Sequence, residues 1–244
     1  MKCILTARTT DEGSEAGLLI GGTRMGEFHV SNHPLIESKM AKLRDVKTGA
    51  KEFREIASEI TTLLFYEAAR GISTAEETVK TPICNAQFKT INVQLAVVPI
   101  LRAGLGMVNG ILSLMPTTKV GHIGIFRNPE TLEPVEYFSK LPSDCCERVV
   151  FMTDPMLATG GTATAAVSFL KEKGVPIHNI KFLCLIACPE GVKRLHSEYP
   201  DVDIYAAAYD VYDKYDDGSP KGLNEHGYIV PGLGDAGDRI FGTK

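Results

Sequence analysis

Five apolar runs of at most eight residues constrain this chain more than anything else in it: LAVVPIL (95–101), VGHIGIF (120–126), RVVFMT (148–153), KFLCLIAC (181–188) and VDIYAAAY (202–209). They are too short for membrane spans and too continuously apolar for strands with one wet face, so they predict strands covered on both sides. Helical patterns separate most of them. GMVNGILSLM runs to Pro116, residues 162–173 precede Gly174 and Pro176, and Pro189 opens a helix to about Tyr199. Ahead of the first run, KEFREIASEITTLLFYEAARG places Phe53, Ile56, Ala57, Ile60 and Leu64 at helical spacing. VEYF (135–138) reads as a further strand, and NPETLEP before it as a turn or extended excursion.

Strands alternating with helices predict an α/β fold: an open, mostly parallel twisted sheet with helices on both faces. No repeat or linker interrupts residues 29–244, which read as one domain, whereas residues 1–28 are polar, Gly-rich and aperiodic and read as an N-terminal extension. A net charge of −4 argues against a nucleic-acid partner. No apolar stretch nears the ~18 residues of a membrane span, and the opening MKCILTARTTDEG is too short for a signal peptide. The six cysteines form no C-x-x-C pair, so a reducing cytoplasm is expected, with Cys184 and Cys188 as small core residues.

Chemistry concentrates in FMTDPMLATGGTATAAV (151–167). A strand ends in Asp154, where an open α/β sheet binds ligands. Ala158-Thr159-Gly160-Gly161-Thr162 then offers backbone N–H groups, two hydroxyls and a helix N-terminus, which suits a phosphate. A plain strand-to-helix turn with Thr162 as cap is the competing reading. The G-x-x-x-x-G-K-[ST] pattern of an ATP loop is absent, and Gly104-Leu-Gly106-Met-Val-Asn-Gly110 misses the dinucleotide fingerprint by one residue. Arg102 and Arg127 each follow an apolar run, where guanidinium forks can grip phosphate oxygens. The tail GYIVPGLGDAGDRIFG holds five glycines, a density that costs backbone entropy unless close approach requires it. Asp210–Gly222 reads as a surface loop without calcium-site spacing, Cys145-Cys146 as an unactivated pair and His226 as a turn residue.

With those residues in view, DPMLATGGT, VVPILRAGLGM, FRNPETLEPVEYFSKLP and GLNEHGYIVPGLGDAGDRIFGTK together resemble the uracil phosphoribosyltransferases, the bacterial-type members most closely, over about residues 29–244. The resemblance implies a phosphoribosyltransferase-like sheet with a smaller C-terminal hood or β-arm over the site. It implies transfer of the phosphoribosyl group of 5-phosphoribosyl 1-diphosphate (PRPP) to uracil, giving UMP and diphosphate in pyrimidine salvage. PRPP would be held by Arg102, Arg127, Asp154, Pro155, Met156, Leu157, Ala158, Thr159, Gly160, Gly161, Thr162 and Asp235. Among these Arg102, Arg127, Asp154 and Asp235 would act in catalysis. Uracil would be read by Ile229, Gly234, Asp235 and Ala236, with bare backbone N–H and C=O groups matching its acceptor-donor-acceptor edge and leaving cytosine mispaired.

Mg2+ would be carried largely by PRPP oxygens and water, because Pro155 stands where many phosphoribosyltransferases have a second acid, with Asp235 as a further contact. A homodimer or homotetramer is implied. Two segments depart from the pattern: residues 1–28, and an insertion at residues 212–221 that could alter a lid or a subunit contact. Two alternatives stand beside this reading. A purine-accepting phosphoribosyltransferase is the nearer one, and an RNA-binding UMP sensor is disfavoured by the acidic balance.

Overall fold

The computed structural model describes residues 25–127 and 134–244. The segment NPETLEP, apart from its final Pro134, and most of the N-terminal extension therefore lie outside the described residues. The strands are β1 (Phe28–Val30), β2 (Thr74–Lys80), β3 (Asn85–Ile91), β4 (Leu95–Leu101), β5 (Lys119–Val120), β6 (His122–Arg127), β7 (Pro134–Lys140), β8 (Val149–Thr153), β9 (Met156–Leu157), β10 (Ile180–Ala187), β11 (Asp203–Tyr209), β12 (Asp213–Lys214) and β13 (Pro220–Lys221). The α-helices are α1 (Pro34–Arg44), α2 (Ala50–Ala68), α3 (Leu105–Leu114), α4 (Gly161–Glu172), α5 (Pro189–Glu198) and α6 (Ala236–Phe241).

The central sheet runs β1-β11-β10-β8-β4-β6-β7, with β5 beside β4 and β9 beside β10. Every pairing is parallel except β6 with β7. Four of the five apolar runs are buried on both faces because alternate side chains feed two separate cores, whereas VGHIGIF is divided between β5 and β6 and leaves Val120 and Phe126 exposed. Leu95, Val97, Phe151, Leu183 and Leu185 join α1, α2 and α3 on one side. Ala96, Val98, Ile100, Val150, Met152, Phe182 and Cys184 join the α4 side. A fully buried Phe or Leu of this kind contributes about 1.5–3 kcal/mol by leaving water. Among the described residues no helix is long and apolar enough to cross a membrane.

The expected hood and arm are separate features. The tail is the hood: Leu223, Ile229, Leu233, Ala236 and Ile240 enter the core on the α1–α2 side. The arm instead lies between α2 and β4, as the antiparallel ribbon β2–β3, whose residues are nearly all exposed. With neither face packed on the rest of its own chain it shows no alternation of apolar and polar residues, so the sequence carried no strand signal there. Helix α1 carries only a narrow stripe, Ile36, Met40 and Leu43, capped by His33 Nδ1 accepting from Leu35 N at 3.2 Å. The segment read as a surface loop holds the small hairpin β12–β13. At the chain's other end the fold begins inside the segment read as an extension, since β1 opens at Phe28 and Gly26 N donates to Pro200 O.

Candidate active site

Three adjacent strands, β8, β4 and β6, end together. Pro99 of β4 pairs with Thr153 of β8, and Leu101 with Gly124 of β6, so Arg102 and Asp154 both follow strand ends at the same edge of the sheet. After β4 the chain turns into α3 on one face, and after β8 into α4 on the other. A crevice opens where neighbouring strands send their helices to opposite faces, and there an open sheet binds ligands. The Leu101–Arg102 peptide is cis, and Arg102 is exposed. Gly104 is pressed so closely on the neighbouring strand that an added Cβ would lie 2.3 Å from Thr153 O, and Thr153 Oγ1 donates to Gly104 O at 3.3 Å. Arg127 closes β6, and its side chain lies outside the described residues.

Asp154 follows β8, its N–H bonded to Leu183 O. Burial pushes its carboxyl up to about 7, partly opposed by the Met156 N–H at 3.4 Å. The residue keeps an opening to the cleft, through which water softens that effect. Pro155 and Leu157 are buried, leaving only their backbone for a ligand, and Met156, Ala158, Thr159 and Thr162 are half-buried.

Gly160 caps α4 in the left-handed region at φ 78°, where other residues are strained, and as a glycine it has no side chain of its own to bond the first turn. The N–H groups of Gly161, Thr162 and Ala163 have no carbonyl within the helix to bond, which favours an anion. An added methyl at Gly160 would also lie 2.9 Å from Gly191 O. We expect Gly160→Ala to weaken ribose 5-phosphate binding at least tenfold, measured by calorimetry.

The tail reaches the same cleft. Ile229 pairs with Leu223, flanked by the bonds Asn224 N to Tyr228 O and Val230 N to Gly222 O. In such an antiparallel bridge the paired residues' own N–H and C=O point away from each other, so those of Ile229 face outward from Leu223. The chain then passes a cis Val230–Pro231 peptide and two left-handed glycines, Gly232 and Gly234. Gly234 and Asp235 are exposed and Ala236 is buried. Asp235 also caps α6, its Oδ1 accepting from Asp238 N at 2.9 Å. Helix α6 lies against the Arg102 turn: the Arg102 guanidinium sits 5.7 Å from the Phe241 ring centre, and a Cβ at Gly106 would lie 2.9 Å from Ile240 Cδ1. The fold thus gathers Arg102, the Asp154 loop and the Gly234–Ala236 turn at one end of the sheet.

Two side chains that the sequence did not single out hold that turn in place. Arg44 forks onto Asp210 at 2.6 and 2.7 Å and donates to Gly232 O at 2.6 Å, while Asp210 also accepts from Gly232 N. Arg239 donates to Leu233 O and Asp45 O and stacks 4.5 Å from the Phe53 ring centre. Cys145 is buried and its thiol pushed up by that burial, so it is no nucleophile. Cys145→Ser is expected to change turnover less than twofold in a steady-state assay.

The chain matches the family model described as uracil phosphoribosyltransferase over residues 30–243. It is 56% identical to a uracil phosphoribosyltransferase from Agathobacter rectalis and 53% identical to one from Brevibacillus brevis, each over 90% of this chain and all of the relative. Among solved structures it is similar to the AQ2163 protein from Aquifex aeolicus, with a TM-score of 0.78 and 38% identity over 88% of this chain and 98% of the other.

Proposed function

The chain belongs to the uracil phosphoribosyltransferase family, and we propose how its site divides the labour of transferring a phosphoribosyl group from PRPP to uracil. The observation that supports the proposal is α6 lying against the Arg102 turn, with Asp154 following the strand next to β4.

The first turn of α4 holds the ribose 5-phosphate through backbone N–H groups, with the Thr159 and Thr162 side chains beside it. This phosphate never reacts and serves to fix the sugar. Asp154 accepts from the ribose hydroxyls. Arg102, joined by Arg127, holds the diphosphate, whose charge grows as its bond to the anomeric carbon breaks. A cation that grips the leaving group more strongly in the transition state lowers the barrier. Uracil is read by backbone at Ile229, Gly234 and Ala236, with Asp235 placed between base and PRPP. Polar groups that cytosine would leave unpaired reject it. The uracil nitrogen attacks the anomeric carbon as the bond to diphosphate breaks, and the N–H proton passes to a diphosphate oxygen or to water.

Among the described residues no group of three or more His, Cys, Asp or Glu side chains forms a metal site. The exposed carboxylate of Asp235 fits magnesium arriving on PRPP, since the ion takes substrate phosphates, waters and one or two carboxylates. Asp235 is the carboxylate that would hold it, and the ion would supply neutralising charge to the diphosphate.

We further assign the β2–β3 ribbon to a contact with a second copy of this chain. A two-stranded ribbon is marginal alone, and this one exposes Val79, Ile83, Phe88 and Ile91. A homodimer or homotetramer is expected by sedimentation, with the ribbon protected from proteolysis. The free cysteines Cys84, Cys145, Cys146, Cys184 and Cys188 suit a reducing cytoplasm.

Radiolabelled uracil should be converted to UMP only with PRPP and magnesium present, at a rate unaltered by excess hypoxanthine. No turnover at millimolar uracil would sink the assignment, and inhibition by hypoxanthine would point to a purine enzyme.

A further inference from the structure

We infer that Glu190 is a positioning residue that couples the base-reading hood to the phosphate loop, with the hairpin β12–β13 as its strut. The inference rests on the proposed placement of the phosphate at residues 158–162 and of the base at Ile229 and Gly234–Ala236.

The chemistry of the α5 N-terminus makes the case. On one side it is fused to the phosphate loop. Cys188 N donates to Leu157 O at 3.1 Å and Cys188 Sγ to Ala158 O at 3.0 Å. Burial pushes that thiol up to about 12, so it stays protonated and can donate. Gly191 lies so close beneath the loop that an added Cβ would be 2.4 Å from Leu157 O and 2.6 Å from Ala158 O.

On the other side the Glu190 carboxylate gathers the strand that supports the base. Oε1 accepts from Gly222 N at 3.0 Å, from Leu223 N at 3.2 Å and from the Tyr215 hydroxyl at 2.8 Å, and Oε2 accepts from Gly222 N at 3.2 Å. Burial alone would push this carboxyl up, but the Tyr215 hydroxyl and the backbone N–H groups outweigh it and hold it below its usual range. Its place in the first turn of α5 adds a favourable helix dipole.

Leu223 bridges Ile229, and Gly222 O accepts from Val230 N. One helical turn therefore touches the phosphate loop through Cys188 and Gly191 and the base strand through Glu190. The Tyr215 strut comes from residues 212–221, the segment that departs from the family pattern, and Lys221 lies 5.9 and 5.4 Å from the Tyr212 and Tyr215 ring centres. The insertion acquires a role here: it buttresses the carboxylate that sets the separation of the two half-sites.

UMP spans both half-sites, whereas ribose 5-phosphate occupies one, so calorimetry with each separates coupling from general damage. Glu190→Ala is expected to weaken UMP about tenfold and ribose 5-phosphate less than twofold, and to raise KM for uracil more than KM for PRPP. Glu190→Gln keeps an acceptor oxygen and should recover part of the loss, and Tyr215→Phe should weaken UMP two- to threefold. These milder changes test the idea even where the alanine variant fails to fold. Equal weakening of both ligands, or none in the Gln and Phe variants, overturns the inference. Undiminished ribose 5-phosphate binding in Gly160→Ala would instead overturn the placement beneath it, and the inference with it.

Discussion

Replacing Asp154 by asparagine is expected to raise the melting temperature of the ligand-free enzyme at pH 8 while lowering turnover by about 10²–10³-fold. Both effects come from one property. In the folded chain burial lifts the carboxyl from the usual 3.8 to about 7, so the folded state binds the proton more tightly than the unfolded state. The stability this proton contributes is complete below the unfolded pKa, near 4, and is lost as pH rises through about 7. By pH 8 the ionised carboxylate costs of order 2–4 kcal/mol.

Asparagine has no charge to desolvate and escapes that cost. Below about pH 4 the two proteins should melt close together, and at pH 8 the variant should melt about 5–10 °C higher. Catalysis runs the other way, because an ionised Asp154 accepts from the ribose hydroxyls more strongly than an amide does. Wild-type kcat/KM for PRPP should rise through pH 7, and this rise should vanish in the variant. A melting difference independent of pH would overturn the burial of the ionised carboxylate, and a variant retaining more than a tenth of wild-type turnover would overturn the catalytic role.

The second large effect is expected at Arg44, which stands outside the proposed substrate contacts and holds the base turn through Asp210 and Gly232. Asp210 is almost wholly buried, with its two oxygens on the Arg44 fork and one also accepting from Gly232 N. Arg44→Ala strands that carboxylate without its cation, a loss of about 3–5 kcal/mol, visible as a lower denaturant midpoint. It also frees the Gly232 carbonyl two residues before Gly234, so KM for uracil should rise about tenfold or more while KM for PRPP changes far less. Lysine cannot reproduce the fork and should rescue little. The double variant Arg44→Leu with Asp210→Leu should be more stable than Arg44→Ala, since it removes the buried charge with its partner. A KM for PRPP that rises as much as that for uracil would mean that the pair braces the whole domain and not the base turn.

The sequence reveals the parts of this molecule whose signals are local. The runs at 95–101, 148–153, 181–188 and 202–209 became strands within a residue of their expected limits, because burial on both faces leaves a continuous apolar signature. Helices α2, α4 and α5 were equally legible from their spacing and breakers. Helix α1 was not, having only three buried positions, nor was the β2–β3 ribbon, which buries no face. Within the site, Asp154 and the 158–162 loop stand out because strand end, glycines and helix start are consecutive in the chain. The supports, Arg44, Arg239, Cys188 and Glu190, carry no comparable mark.

What the sequence alone determined is thus the order of the buried strands and of the helices between them, and a glycine-rich turn between β8 and α4. Periodicity, left-handed glycine geometry and unpaired helix N–H groups act over a few residues, so they survive in the linear text. Tertiary structure decided which residues meet: the Arg102 turn with α6, Glu190 with Gly222 and Leu223, and Arg44 with Asp210 across 166 positions. Those pairings depend on strand order and on how deeply each charge is buried. Neither is encoded locally, because an arginine in a helix and an aspartate after a strand look the same in sequence whether they face water or each other.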